Sequence, residues 1–218
     1  MLKIILYILT FQIFLYSSNV KLEAFEREFS IKTDFFEEIK KISFPKNTDN
    51  ILKNEPIRNI TLYEQLIIEV DSSKNLMFIK GKLNNKIKNI QTYVVSTGKD
   101  DIKKPTGQGG ITSISLNPFW YPTQETLELF KKRGIDLPKV VPPGHRYNYM
   151  GSAKINLTHE VDGKNTFRIH GTLDETTIGT NESSGCIRMK NNEVVQLATL
   201  LNKFTSSKNM QNIKVFLK

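Results

Sequence analysis

Gln65-Leu66-Ile67-Ile68-Glu69-Val70-Asp71-Ser72-Ser73-Lys74-Asn75-Leu76-Met77-Phe78-Ile79 sets two runs of extended-chain formers on either side of a polar break. Branched aliphatic residues favour the pleated chain, and Asp, Ser and Asn favour turns, so the stretch reads as a β-hairpin. The same grammar continues downstream. Residues 91–95 read as a strand closed by Ser96-Thr97-Gly98. Lys104-Pro105-Thr106-Gly107 signals a turn, and Gly109-Gly110 permits a bend before a strand at 111–114. Further strands are expected at 153–157, 166–169 and 213–217. Helical spacing is scarcer. Residues 123–133 carry Leu127 and Phe130 at i, i+3 and stop at Gly134. A second helix is expected with Asn191 as N-cap, acidic Glu193 in its first turn, and Val194, Leu197, Ala198, Leu201 and Phe204 along one face. Residues 137–151 form a Pro/Gly-rich loop. Many short strands with few helices make the fold mainly β, a sandwich or barrel-like domain over residues 63–218.

Upstream of the hairpin the chain changes character. Residues 19–62 are charged, with Leu22, Phe25, Phe29 and Phe36 on one helical face, so they read as a linker with one surface helix ended by Pro45. Residues 1–18 have a positive start at Lys3 and an apolar run from Ile4 to Tyr16, followed by Ser17 and Ser18. That run is short for a membrane span and fits a secretory signal, or else an uncleaved N-terminal anchor. Export to the periplasm or cell envelope is the expectation.

The 218 residues suffice for one good core, and the formal charge is +9. No block of like charges and no basic run interleaved with aromatics occurs, so the composition does not point to nucleic acid. A basic surface suits an anionic envelope polymer.

Cys186 is the chain's one cysteine and His170 one of its three histidines. In an oxidising compartment a single thiol cannot staple this chain. It is either an inert buried sulfur or a reactive one. Its neighbours Ser183, Ser184 and Gly185 are too small and polar for a core strand, which favours reactivity. A nucleophilic thiol needs a base for its proton and backbone donors for the oxyanion it creates. His170 is the candidate base, and the N–H groups of Ser184, Gly185 and Cys186 are the candidate donors. A zinc site built from His159, His170, Cys186 and Asp162 lacks the ligand spacing such sites show, so no metal and no other cofactor is expected.

The pattern His170-Gly171-Thr172, then Ile178-Gly179, then Ser183-Ser184-Gly185-Cys186-Ile187-Arg188 resembles the L,D-transpeptidase family with a YkuD-type catalytic domain. Lys104-Pro105-Thr106-Gly107, Asn117-Pro118-Phe119-Trp120, and the segments Val140 to Gly144 and Asn148 to Gly151 follow in that family's order. The resemblance implies a YkuD-like mainly β fold and a thiol enzyme acting on peptidoglycan. In that reading Cys186 is the nucleophile and His170 the base, its second nitrogen held by a carbonyl around Gly171 and Thr172. Ser184 stands where the commoner family form has a second histidine. Arg188 holds a substrate carboxylate or bonds a loop carbonyl, and Ser183 lies beside the substrate. Trp120, Tyr121 and Met150 line the peptide groove or pack in the core. The partners implied are peptidoglycan stem peptides, with another stem, an envelope protein or water accepting the acyl group. A catalytically idle wall-binding domain is the alternative of another class.

Overall fold

A computed structural model describes residues 59–218. The expected export signal at 1–18 and the surface helix of the linker lie outside the described residues. Of the linker, Ile60–Leu62 form a single 3-10 turn whose Ile60 is buried.

The elements in chain order are β1 (Gln65–Asp71), β2 (Leu76–Leu83), β3 (Lys86–Val94), β4 (Thr97–Gly98), β5 (Gly107–Gly109), β6 (Ile111–Leu116), α1 (Gln124–Lys132), β7 (Ala153–Leu157), β8 (Arg168–His170), β9 (Asn181–Ser183), β10 (Ile187–Arg188), α2 (Asn191–Thr205) and β11 (Ile213–Leu217). The opening hairpin forms as its residues dictate. Leu66, Ile68 and Val70 point inward in strict alternation. The connection is fastened by Asp71, whose carboxylate accepts from the Ser73 N–H at 3.1 Å and from Lys74 Nζ at 2.8 Å. Asn75 takes the left-handed conformation that the turn requires, φ +53°.

The domain is mainly β, and its sheets are open. A five-stranded sheet runs β3-β2-β1-β11-β5, a four-stranded sheet β10-β8-β7-β6, and β4 pairs with β9. The barrel-like alternative is therefore corrected. In the five-stranded sheet β1 lies between β2, antiparallel, and β11, parallel.

The four-stranded sheet positions the chemistry. Ile155, Ile169 and Ile187 pair across β7, β8 and β10 and are all buried. They face α2, which buries Val194, Leu197, Ala198, Leu201 and Phe204. Each such side chain contributes about 1.5–3 kcal/mol when fully buried, so this face anchors the sheet firmly. The helix begins one position earlier than its sequence suggests. Lys190 is the cap without a side-chain bond, and Asn191 is the first helical residue. Its carboxamide is engaged elsewhere, as described below. Helix α1 begins as expected, with the Thr123 hydroxyl accepting from the Thr126 N–H at 3.2 Å. It covers a second, smaller core of Trp120, Phe130, Leu137, Val141 and Met150.

Candidate active site

Side chains alternate along a strand, so residues flanking the inward isoleucines share the opposite face. Register then arranges them. Ile187 pairs with Ile169 and Arg188 with His170, so Cys186, one position earlier, falls beside Arg168. On the other side of β8, Lys154 pairs with His170 and Asn156 with Arg168. The 2.7 Å hydrogen bond from Asn156 Nδ2 to Ser113 Oγ extends this polar face to β6. Two cross-strand rows result: Cys186, Arg168, Asn156 and Ser113; then Arg188, His170, Lys154 and Ser115. Cys186 and His170 stand diagonally on adjacent strands.

The thiol is half-buried and free of any disulfide. Its S–H donates to the Thr166 carbonyl at 3.9 Å, a long contact even for sulfur. No hydrogen bond joins it to the imidazole among the described residues. The turn that carries it is tightly made. Ser183 Oγ accepts from the Gly185 N–H at 3.1 Å and donates to the Cys186 carbonyl. Gly185 has φ +109°, and a Cβ there would stand 2.9 Å from the Phe167 ring. Ser183 is fully buried and so organises the turn from beneath; it does not line the substrate's path. Because the Gly185 N–H is occupied, the expected trio of oxyanion donors is reduced. The N–H groups of Ser184 and Cys186 make no hydrogen bond among the described residues and are the donors left.

His170 ends β8 and is 4% exposed. Burial drives its pKa down to about 3, and the Arg188 and Arg168 charges push the same way. The backbone groups of Gly171 and Tyr149 act in the opposite sense, favouring the cation. Its Nδ1 is buried and makes no hydrogen bond, so the expected tautomer-fixing acceptor is near the ring without being engaged. The Thr172 hydroxyl is engaged with Asp174 instead, donating to its carbonyl at 3.1 Å and accepting from its N–H at 3.2 Å. Burial raises the Cys186 thiol above its ordinary value, while the cationic Arg168 and Arg188 work to lower it. Both shifts favour the neutral pair, thiol and imidazole, over a preformed thiolate and imidazolium. The resting site is uncharged chemistry held in a cationic surround.

The loops around His170 are set by Asn191. Its Oδ1 accepts from the Ser152 N–H at 2.9 Å, its Nδ2 donates to the Thr172 carbonyl at 2.8 Å, and its backbone N–H donates to Glu175 Oε1 at 2.8 Å. Gly171 donates its N–H to the Met150 and Ala153 carbonyls.

Of the two readings for Trp120 and Met150, lining the groove or packing in the core, the structure has the second. Trp120 and Met150 are buried in the smaller core, with Trp120 stacked edge-on against Tyr149 at 4.8 Å, so neither lines a peptide path. Tyr121 is exposed. The structure opens a different cleft, of about 460 Å³, past Thr166 and Arg168 over Asn156, Thr112, Thr158 and Glu160. Arg188 exchanges two backbone hydrogen bonds with Ser96, and its side chain forms no ion pair among the described residues. His159 lies elsewhere, buried under Gly109, with Nε2 3.2 Å from the Gly107 carbonyl. Arg168 was missed from sequence, although its place two positions before His170 in a strand puts it on the same face. Asn191 reads from sequence as an ordinary cap and gives no hint of its bridging.

The L,D-transpeptidase catalytic domain (YkuD) family model matches residues 65–215. The "Probable L,D-transpeptidase YcfS" of Escherichia coli (strain K12) is 29% identical over 136 residues, 62% of this chain and 40% of that protein. The "Probable L,D-transpeptidase ErfK/SrfK" of the same organism is 38% identical over 111 residues, 50% of this chain and 33% of that protein. The matched stretch thus spans less than half the length of either relative. Among solved structures, the helical cell shape determining protein Pgp2 from Campylobacter jejuni superimposes with a TM-score of 0.46 at 15% identity, covering 78% of this chain and 55% of that one.

Proposed function

The chain belongs to the family of L,D-transpeptidase catalytic domains, and from that premise we propose that it is an exported envelope enzyme that joins peptidoglycan stem peptides through a thioester on Cys186. The observation that carries this reading is the diagonal placement of Cys186 and His170 on one polar face, beside an open cleft.

In the proposed reaction a tetrapeptide stem lies in the cleft with the carbonyl of its third residue over the sulfur. Neutral His170 takes the thiol proton as Sγ attacks that carbon, and the carbonyl π pair moves to oxygen. The N–H groups of Ser184 and Cys186 hold the oxyanion. The intermediate collapses, the bond to the terminal D-Ala breaks, and the imidazolium returns its proton to the departing amine. An acceptor amine, on a second stem or an envelope protein, then attacks the thioester while His170 takes its proton. Collapse forms the new amide and releases the sulfur, which recovers the proton from the imidazolium. Burial keeps His170 neutral at rest, which leaves a ring nitrogen free to accept but makes it a weak base, so proton transfer has to be coupled to formation of the C–S bond and the oxyanion. Substrate entry must bring the thiol off the Thr166 carbonyl and toward the ring.

Incubating the purified protein with tetrapeptide-bearing muropeptides tests this. The expected products are 3→3 linked dimers and an acyl adduct on Cys186 seen by intact mass. Intact protein that yields neither would refute the reading. An adduct that passes only to water, even with abundant amine acceptor, would make the enzyme a hydrolase.

A further inference from the structure

Three cationic side chains stand on the polar face of the four-stranded sheet. Arg168 is next to Cys186 on one side and Asn156 on the other, while Lys154 and Arg188 flank His170. Among the described residues no carboxylate lies within ion-pair distance of any of the three. Their repulsion is felt: the Lys154 pKa is lowered, by burial first and then by the charge of Arg168. Half-buried cations gathered without counter-ions cost stability, and an incoming anion would relieve that cost. Arg168 is also the one of the three that borders the cleft. It is held by a strand paired on both sides, which fixes the direction of its side chain. A guanidinium presents two parallel N–H donors that match a carboxylate. The rest of the cleft offers hydroxyls and the Asn156 and Asn165 amides, suited to a peptide backbone, and the Glu160 carboxylate, which is also on its wall.

We propose that Arg168 is a specificity-determining residue whose guanidinium pairs with a carboxylate that the acyl donor carries beside its scissile carbonyl. The proposal rests on the acyl-transfer reading for its choice of ligand. It goes beyond that reading in saying that a donor with this carboxylate masked as a carboxamide is a poor ligand.

Two experiments test it. Cys186 is the chain's one cysteine, so its alkylation by anionic iodoacetate and by neutral iodoacetamide can be followed cleanly. Relative to free cysteine, the wild-type protein should favour the anionic reagent, and Arg168→Gln should lower that preference by about tenfold, the value of a charge-assisted pair. An unchanged ratio in Arg168→Gln overturns the proposal. The second uses the wild-type protein and needs no variant to fold. A stem tetrapeptide whose third residue bears a free side-chain carboxylate should protect Cys186 from iodoacetamide at lower concentration than its carboxamide counterpart. Equal protection overturns the proposal. The two readings fail separately. Carboxylate-dependent protection without any dimer or adduct would leave the anion site standing and remove the transpeptidation reading. Dimer formation with equal protection by acid and amide would do the reverse.

Discussion

The carboxamide of Asn191 fills the space in which Gly171 would carry a side chain: a Cβ on Gly171 would stand 2.2 Å from Asn191 Oδ1. Gly151 meets the same oxygen at the same distance. The first residue of α2 thus clamps the two loops that flank His170, and the glycines exist to let it in.

Asn191→Ala should therefore loosen His170 without touching it. Two side-chain hydrogen bonds are lost, and the Ser152 N–H and Thr172 carbonyl are left without partners. A loss of about 1–3 kcal/mol in urea denaturation is expected. Asn191→Asp keeps the acceptor for Ser152 and should lose less. Gly171→Ala should be worse than either, because the clash is with a held side chain and adjacent backbone.

Gly185→Ala should act on the turn that carries Cys186. The residue sits at φ +109° against Phe167, so an added Cβ is strained by its backbone and by its neighbour. Melting should fall by about 1–3 kcal/mol equivalent. The iodoacetamide rate at Cys186 should change together with it, whereas a distant surface substitution would leave both unaltered.

Ser183→Ala removes the hydroxyl that binds the Gly185 N–H and the Cys186 carbonyl. With Ser183 fully buried, those two groups lose their partner out of reach of water. Destabilisation of about 1–3 kcal/mol is expected. Acylation should slow more than protein stability alone explains, since the turn that aims the Ser184 and Cys186 N–H groups loses its internal brace. Comparing adduct formation with melting in Ser183→Ala and Ser183→Thr checks this.

The neutral pair has a signature in pH. The folded His170 pKa is held to about 3 against an ordinary 6.5, so below 6.5 the unfolded chain binds a proton that the folded one refuses. Stability should fall as pH drops from about 6.5 toward about 3, by up to about 1.4 kcal/mol per pH unit from this group. Raising of the Cys186 pKa adds a loss on the alkaline side, above its ordinary 9.0. Urea midpoints at pH 7.5 and 5 should show the acid decline in wild type and a shallower one in His170→Gln. Alkylation of Cys186 should climb through the alkaline range with no plateau from acidic pH. A plateau would mean a standing thiolate–imidazolium pair.

The fold was legible where period and turn chemistry agree. The hairpin at Asp71 to Asn75, the cap at Thr123 and the alternation of β11 each obey a local rule that the tertiary structure leaves in force. Cys186 and His170 were legible through residue type and spacing, and register puts them on one face. What was missed depends on contacts between distant segments. Whether Trp120 packs or lines depends on α1 closing over it. Whether the Gly185 N–H is free depends on the rotamer of Ser183. Asn191 has the profile of a cap, and only the arrival of residues 151 and 171 gives its carboxamide a better use.

The place of β11 reaches into the timing of synthesis. The last strand of the chain lies between β1 and β5, so both of those wait for it before their hydrogen bonds on that side exist. A nascent polypeptide emerging amino end first makes its hairpin early, yet the five-stranded sheet stays split until Ile213–Leu217 emerge. Loss of Ile213–Leu217 would strand two elements at once.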